Sequence, residues 1–205
     1  MDLSIGSCIS AVFKIYEELD QQTDGFSRLT GLKCLDGCGA CCESPNVEAT
    51  VLELLPLAQE IYFLDREEEI LEKIGDRKER EPEYKSCILY LPDFIVAGNG
   101  RCTYYNHRPL ICRLFGFAAR KNKYNHIEFS PCKKVRQKDP PLAQRVEMAI
   151  ANGARPPLFQ ESAFRVASLM PSLGFKRYPI NRALWEALAY LSWKKPVKPK
   201  HRKAA

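Results

Sequence analysis

Cysteine placement constrains this chain more than any other feature of its sequence. Eight of the nine cysteines lie between residues 34 and 132, and four of those eight fall within nine residues. The eight are Cys34, Cys38, Cys41, Cys42, Cys87, Cys102, Cys112 and Cys132. Buried cysteines are common one at a time, but such close spacing indicates thiols that converge on metal. A disulfide relay and a thiol switch are the alternatives.

The N-terminal sequence and the hydrophobic pattern predict a cytoplasmic protein without a membrane partner. The first residues, Met-Asp-Leu-Ser-Ile-Gly, carry an acid where a secretion signal would carry basic residues. No stretch approaches the roughly 18 apolar residues that a membrane-spanning helix requires. Because thiols stay reduced in the cytoplasm, metal ligation is favoured over a disulfide framework.

Residues 31–46 form the densest part of the cysteine pattern and are predicted to be a tight loop. Gly37 and Gly39 can adopt positive φ, which leaves backbone amides free to donate hydrogen bonds to sulfur. Consecutive side chains tend to diverge, so Cys41 and Cys42 are expected to serve different sites. The eight thiols then suit two four-sulfur sites, or one cluster plus one zinc, and four-sulfur geometry fits both zinc and a [4Fe–4S] cluster.

Two arginines are candidates to offset the negative charge of these sites. A four-thiolate site holding zinc or a [4Fe–4S] core is formally about 2−. Pro109 can occupy the first turn of a helix that ends near Gly116, which places Arg108 about one turn before Cys112 on the same face. Arg108 and Arg113 are therefore predicted to lie just outside the cysteine ligands. Pairing of both arginines with surface acids is the alternative.

Helical periodicity dominates the N-terminal half outside the cysteine loop. Residues 3–20 form an amphipathic helix with Cys8 on its apolar side, so the ninth cysteine is predicted to be a core residue. Capping boxes that begin at Thr50 and at Asp65 predict a helical pair after the loop. Pro56 is expected to kink or restart the first helix of that pair.

Short strands and further helices are predicted for the rest of the chain. The apolar runs 88–91 and 94–97 read as strands, followed by the turn Gly98-Asn99-Gly100. Beyond Asp139, prolines divide the sequence into three helical segments. The predicted fold is α+β and predominantly helical, with small strands and loops around a cysteine-ligated metal region. Its predicted parts are an N-terminal helix (1–30), a metal-binding domain (31–138), a helical C-terminal extension (139–193) and a disordered basic tail (194–205).

The net charge of +6 originates in the tail. Residues 194–205 carry six basic residues and no acid, which leaves 25 Lys and Arg residues against 25 Asp and Glu residues in the body. A nucleic-acid partner, bound through the tail and the basic residues between 120 and 138, is therefore not favoured.

Few catalytic motifs accompany the cysteines. The sequence contains no recognisable Ser-His-Asp arrangement, phosphate loop or paired carboxylates. These motifs give no support to an enzymatic activity, which stays open as an alternative. Neither His107 nor His126 has a zinc-finger spacing to a partner, and both are predicted to be surface or core residues.

The order of the cysteines resembles that of a known family. The chain combines the run Cys34-Leu-Asp-Gly-Cys38-Gly-Ala-Cys41-Cys42 with Cys87-Ile-Leu-Tyr-Leu, Cys102-Thr-Tyr-Tyr, Arg108-Pro109-Leu-Ile-Cys112-Arg113-Leu-Phe-Gly and Cys132. Over residues 31–133 this pattern resembles the bacterial YkgJ-like CxxCxxCC cysteine-cluster family of zinc- or iron-chelating domains. One departure is that three residues, rather than two, separate Cys34 from Cys38.

The resemblance implies metal chelation, and two functions are weighed beyond it. In the first, zinc or an iron–sulfur centre organises a fold that presents the helical extension or the tail to a protein partner. In the second, the chain is an iron–sulfur redox protein or an enzyme, since the flagellin lysine N-methylases look similar through their own cysteine cluster. The first is favoured, because the chain has no glycine-rich turn suited to a nucleotide-like cofactor.

Overall fold

The computed structural model describes residues 4–80, 86–129 and 131–194, of which 78–80 and 194 are described by their backbone alone. Its helices are α1 (Ile5–Thr30), α2 (Ala40–Glu43), α3 (Val51–Phe63), α4 (Glu67–Arg80), α5 (Leu110–Leu114), α6 (Lys133–Lys138), α7 (Pro140–Ala151), α8 (Phe159–Leu169), α9 (Pro171–Gly174) and α10 (Ile180–Lys194), with a 3-10 turn at Tyr105–His107. Antiparallel two-stranded ribbons join β1 (Glu48–Thr50) to β6 (Arg177–Pro179), β2 (Tyr90–Pro92) to β3 (Gly100–Cys102), and β4 (Ala119–Lys121) to β5 (Ile127–Phe129). The predicted class, α+β and predominantly helical, is confirmed.

Helices α1, α3 and α10, which we call the helical body, enclose the main hydrophobic core. α10 lies along α3, where Leu54 and Leu188 are fully buried at 0% exposure. Burying a leucine side chain stabilises a fold by about 1.5–3 kcal/mol, so this contact is a large part of the stability. Cys8 of α1 is also 0% exposed in this core, which confirms the prediction for the ninth cysteine.

The first helix continues beyond the amphipathic stretch 3–20 and ends at Thr30, within the range 1–30 predicted for the N-terminal helix. Its apolar face stays buried as far as Phe26, which extends the packing that holds the helix together. Gly31 ends it in a left-handed conformation with φ of 73°, and its amide donates to the carbonyl of Ser27 at 2.9 Å. The cysteine loop therefore starts at a fixed helix end.

One of the two predicted capping boxes is present. The Glu53 amide donates to Thr50 Oγ1 at 3.1 Å, and the Thr50 amide donates to Glu53 Oε1 at 3.2 Å. α3 includes Pro56 within a single helix, so the helix does not restart there. The second box is wrong, because Asp65 has a left-handed φ of 51° and α4 begins only at Glu67.

The predicted strand at residues 94–97 is also wrong. These residues form the loop between β2 and β3, where Phe94 and Ile95 are 91% and 93% exposed. Asp93 Oδ1 accepts hydrogen bonds from the amides of Ile95 at 2.8 Å and Val96 at 3.2 Å. This local turn satisfies the amides that a strand would use, so the apolar run becomes a hairpin tip.

Helices α8 and α10 of the C-terminal region are part of the same core as α1 and α3. The Ile180 amide at the start of α10 donates to the Val47 carbonyl at 2.9 Å, beside the β1–β6 ribbon. The predicted basic tail at 194–205 lies outside the residues whose side chains are described. Within the described ranges, we find no helix that combines the length and the apolar character needed to cross a membrane.

Candidate metal centre

All eight predicted ligand cysteines line one cavity of about 400 Å³. They reach it from the loop after α1, from α2, from the segment before β2, from β3, from α5 and from the residue that precedes α6. Every one is a free thiol. The fold therefore brings together cysteines that the sequence places almost a hundred residues apart.

A tight turn presents Cys34 and Cys38 to the cavity. The Cys38 amide donates to the Leu35 carbonyl at 3.1 Å, and Gly37 between them has a φ of 68°. This positive φ confirms the prediction for Gly37. The Gly37 carbonyl then accepts from the Gly100 amide at 2.8 Å, which ties the turn to the β2–β3 hairpin.

Tyr90 fills the narrow gap between the loop and the hairpin. A Cβ atom added to Gly39 or to Gly100 would overlap its ring. Gly39 has a φ of −104°, so the positive φ predicted for it is wrong and its role is to allow this close approach. The Tyr90 hydroxyl donates to the Asn99 carbonyl at 2.9 Å, which fixes the ring.

Asn181, in the first turn of α10, holds the segment around Cys87 from both sides. Its Oδ1 accepts from the Ile88 amide at 3.0 Å, and its Nδ2 donates to the Ser86 carbonyl at 2.8 Å. The Cys87 amide donates to the Cys42 carbonyl at 2.9 Å. Sequence reasoning missed Asn181, because a helix-start asparagine carries no signal that names a partner more than ninety residues away.

Cys42, Cys87, Cys102 and Cys112 form one set, which we call the inner thiols. The last three pack against the main core. Burial raises the pKa of Cys87 to about 12 and holds the pKa of Cys112 well above its ordinary range. The hydrogen bond to Cys41 raises the pKa of Cys42, and burial and the Cys41, Cys87 and Cys102 thiols add to the rise.

Two backbone amides lower the pKa values of inner thiols, in each case against the effect of burial. Burial raises the pKa of Cys102, and a hydrogen bond from the Tyr104 amide to its sulfur opposes that rise. The Leu89 amide does the same at Cys87. Each amide lies two residues after its cysteine, so both turns are prepared to stabilise a thiolate.

Cys34, Cys38 and Cys132 form a second set, the outer thiols. Burial raises the pKa of Cys34 to about 11, and the thiols of Cys38, Cys41 and Cys132 raise it further. Cys132 and Leu35, the neighbour of Cys34, pack on a separate hydrophobic cluster that includes Phe26, Leu32, Val135, Leu142 and Val146. This side of the cavity therefore has its own apolar support.

Cys41 lies between the two sets. A hydrogen bond from Cys42 lowers the pKa of Cys41 to about 6, burial opposes this, and the Arg108 guanidinium lowers it further. Its charge raises the pKa of the inner thiols Cys87 and Cys112 and of the outer thiol Cys34. Cys41 therefore lies close enough to both sets to raise the pKa of thiols in each.

The two predicted arginines have different surroundings. Arg108 lies over the Tyr105 ring, 3.4 Å from its centroid, and its charge opposes the raised pKa values of Cys102 and Cys112. Arg113 is 7% exposed and is engaged by Asp20, by the Asn106 carbonyl and, at 2.8 Å, by the Arg108 carbonyl. Arg108 therefore faces the thiols, and the Arg113 guanidinium anchors α5.

The charged residues of the cavity wall are mostly cationic. Lys33 and Arg101 line it together with Arg108 and Arg113, and the described lining contains a single carboxylate, Asp36, and no histidine. Sequence reasoning missed Lys33 and Arg101. The predicted exclusion of both histidines as ligands agrees with their positions: His107 packs edge-on against Phe13, and His126 is exposed near the β4–β5 turn.

The donor set fits a thiophilic metal, although its spacing is looser than that of a loaded site. Thiolate sulfur is the shared ligand of four-sulfur zinc and iron sites. Among residues 4–80, 86–129 and 131–194, no group of three or more His, Cys, Asp or Glu side chains has the spacing that holds a metal ion. Binding would therefore need small movements of the cysteine-bearing loops.

Comparison with known proteins identifies a domain in this part of the chain. Residues 33–133 match the model of the CxxCxxCC family, described as a putative zinc- or iron-chelating domain. The chain has no match among the curated proteins or among the solved structures. The matched segment contains all eight cavity cysteines and ends before Asn181.

Proposed function

We propose that this chain is a metal-organised binding module whose eight cavity thiols chelate zinc or iron, since residues 33–133 match the model of the CxxCxxCC family. The observation that carries the proposal is the convergence of all eight cysteines on one cavity. Free thiols persist in a reducing compartment, so we place the protein in the cytoplasm.

Metal binding would change the stability of the cysteine-bearing segments most. Bound zinc or iron supplies cross-links between segments that are distant in sequence. Each ligating thiol must lose its proton, and burial opposes that loss at Cys34, Cys87 and Cys112. The amides of Leu89 and Tyr104 and the guanidinium of Arg108 help to hold the resulting thiolates.

The composition of the cavity favours binding over catalysis. General acid–base chemistry most often uses histidine or a carboxylate, and the described lining contains no histidine and a single carboxylate, Asp36. Two four-thiolate sites with divalent ions carry about 4− in total, each contributing about 2−. Lys33, Arg101 and Arg108 on the cavity wall are placed to offset that charge.

A protein partner is part of this proposal, and the hairpin tip is its contact surface. Phe94 and Ile95 are almost fully exposed on the loop between β2 and β3, and β3 carries Cys102. Metal binding at Cys102 would hold the strands that present this tip. A photo-crosslinking residue at position 94 should give adducts in cells that disappear when Cys87 and Cys102 are both replaced by serine. Adducts that do not change in that variant would contradict the role of the metal.

The alternative is an iron–sulfur redox protein or enzyme. It is favoured by one observation: the cavity carries twice the number of thiols that one tetrahedral zinc ion takes. A [4Fe–4S] cluster is held by four cysteines, so this lining has enough ligands for one or two clusters.

One experiment tests the proposal and separates its two versions. The full chain is purified anaerobically, and zinc, iron and acid-labile sulfide are quantified per chain beside the absorption spectrum. We expect zinc or iron in a fixed ratio that is lost when Cys87 and Cys102 are replaced by serine. Sulfide with broad absorption near about 400 nm would select the iron–sulfur version. Absence of both metals, with none taken up on reconstitution, would contradict chelation.

A further inference from the structure

We propose that the eight thiols form two separate four-thiolate sites, an inner one of Cys42, Cys87, Cys102 and Cys112 and an outer one of Cys34, Cys38, Cys41 and Cys132. The division rests on the proposed chelating function and assigns each cysteine to one metal position.

Two separate apolar supports underlie the division. Cys87, Cys102 and Cys112 pack against the main core of the helical body. Cys132 packs instead on the second cluster, together with Leu35 beside Cys34. The second cluster is built by the end of α1, α6 and α7, so the two sides of the cavity are fixed by different elements.

Backbone geometry joins Cys42 to the inner side. Its carbonyl accepts the hydrogen bond from the Cys87 amide at 2.9 Å, and Asn181 holds the residues on either side of Cys87. Cys102 lies opposite Tyr90 in the adjoining ribbon. The bond to the Cys87 amide places Cys42 beside one inner thiol through backbone that is itself fixed.

The outer side is held by a different set of contacts. The turn from Leu35 to Cys38 fixes Cys38 close to Cys34. Gly116, with a φ of 83°, lets the backbone after α5 pass so near that an added Cβ would come within 3.1 Å of Cys132 Cβ. The segment after α5 therefore packs closely against Cys132.

The remaining choice concerns Cys41 and Cys42, which are consecutive on α2. The Cys42 carbonyl is hydrogen-bonded to the amide of the inner residue Cys87 at 2.9 Å, which assigns Cys42 to the inner site. Successive residues on a helix point about 100° apart, so the Cys41 and Cys42 side chains leave α2 in different directions, and the hydrogen bond between their sulfur atoms would be replaced by one bond from each sulfur to its own metal ion. Assigning Cys41 to the outer site completes both groups at four sulfurs.

Zinc titration of the reduced, metal-free full chain tests the division. The wild type should bind two zinc ions, and one should remain both in the inner-pair variant (Cys87→Ser with Cys102→Ser) and in the outer-pair variant (Cys34→Ser with Cys132→Ser). Replacing the core residue Cys8 by alanine is the matched control and should leave two. A wild type that binds one ion, lost in both pair variants, would overturn the division. A wild type that binds neither zinc nor ferrous iron would instead overturn the proposed function.

The two adjacent cysteines give a sharper test within the pair variants. In the outer-pair variant, Cys42→Ser should lower the affinity of the remaining site by more than about 100-fold, since even changes outside the ligand shell cost 10–100-fold. Cys41→Ser should leave that affinity nearly unchanged, and the order should reverse in the inner-pair variant. Equal losses in both backgrounds would overturn the assignment of Cys41.

Cadmium NMR of the wild type keeps the division testable if a pair variant fails to fold. Two resonances of equal intensity, both in the range of four-sulfur coordination, are expected. A single resonance at saturating cadmium would overturn the division.

Discussion

The helical body and the cysteine-bearing segments, residues 31–46 and 86–132, are built by different physical means. The body consists of long helices whose leucines are removed from water. The segments contain strands of three residues and helices of four and five residues. Helices and ribbons this short are not stable alone in water. Apolar burial can therefore keep the helical body folded, whereas the cysteine-bearing segments depend on metal cross-links for their stability.

The two regions meet at the start of α10. Ile180 donates to the Val47 carbonyl, and Asn181 holds the chain around Cys87. The same helix, α10, also buries Leu184 and Leu188 within the body. The start of α10 therefore fixes the segment around Cys87 at one edge of the metal cavity.

The largest effect on the body should come from a cavity in its core. Leu188→Ala removes a fully buried side chain and should lower the free energy of unfolding by about 3 kcal/mol. Because Leu188 does not line the metal cavity, the loss should be equal with and without zinc. Urea unfolding measures it, and Leu29→Ala at a 68% exposed position is the control. A loss of unfolding free energy seen only in the zinc-loaded protein would contradict the distinction between the body and the segments.

A next, smaller effect is expected from a clash within the segments. Gly39→Ala forces a methyl group against the Tyr90 ring and should destabilise the zinc-loaded protein by about 2 kcal/mol. Combining it with Tyr90→Ala should remove most of that cost, because the ring is then gone. Gly75→Ala, in the open helical position on α4, should instead stabilise by about 0.5–1 kcal/mol. Similar costs at positions 39 and 75 would contradict the close packing.

Removing the connection between the regions should weaken metal binding without weakening the body. Asn181→Ala frees the backbone on both sides of Cys87 and should lower zinc affinity about 10–100-fold. Chelator competition measures the affinity, and urea unfolding of the zinc-free protein checks the body. Arg182→Ala, at the exposed next position of α10, is the control and should change neither quantity. Unchanged zinc affinity in the Asn181 variant would contradict the claim that α10 positions the backbone around Cys87 for metal binding.

The smallest effect is a pH dependence that originates at Glu53 in α3. Burial raises the pKa of Glu53 above its ordinary value of 4.5, and Arg177 opposes the rise from 3.3 Å. The folded state then holds the proton more tightly than the unfolded state, so this stabilisation is complete at low pH and is lost as pH rises through the folded pKa.

Comparison with Glu53→Gln isolates that contribution. The stability of the wild type relative to the variant should fall as pH rises above about 4.5, as measured by urea unfolding at several pH values. A relative stability that rises with pH would contradict the direction of the shift.

The same contrast explains which features could be predicted from the sequence. Periodicity and capping act over a few residues, and they predicted the core position of Cys8 and the capping box at Thr50. The cysteine spacing predicted the eight thiols that line the cavity. Each of these signals is local or depends on one residue type.

The features that were missed depend on contacts between distant residues. Asn181 holds a segment more than ninety positions earlier, and Gly39 is needed for the ring of Tyr90 rather than for a positive φ. The run 94–97 is apolar enough for a strand, but the amides of Ile95 and Val96 donate hydrogen bonds to the Asp93 carboxylate instead. Such outcomes depend on the assembled fold, so residue pattern alone does not reveal them.

Hydrogen exchange with and without metal tests the central claim, that metal organises the cysteine-bearing segments on a body that stands without it. Amide protection is compared between zinc-loaded and chelator-treated protein under reducing conditions. We predict that residues 35–42 and 86–112 lose protection on metal removal, whereas α3 and α10 keep it. An equal loss in both regions, or no loss in either, would contradict the account.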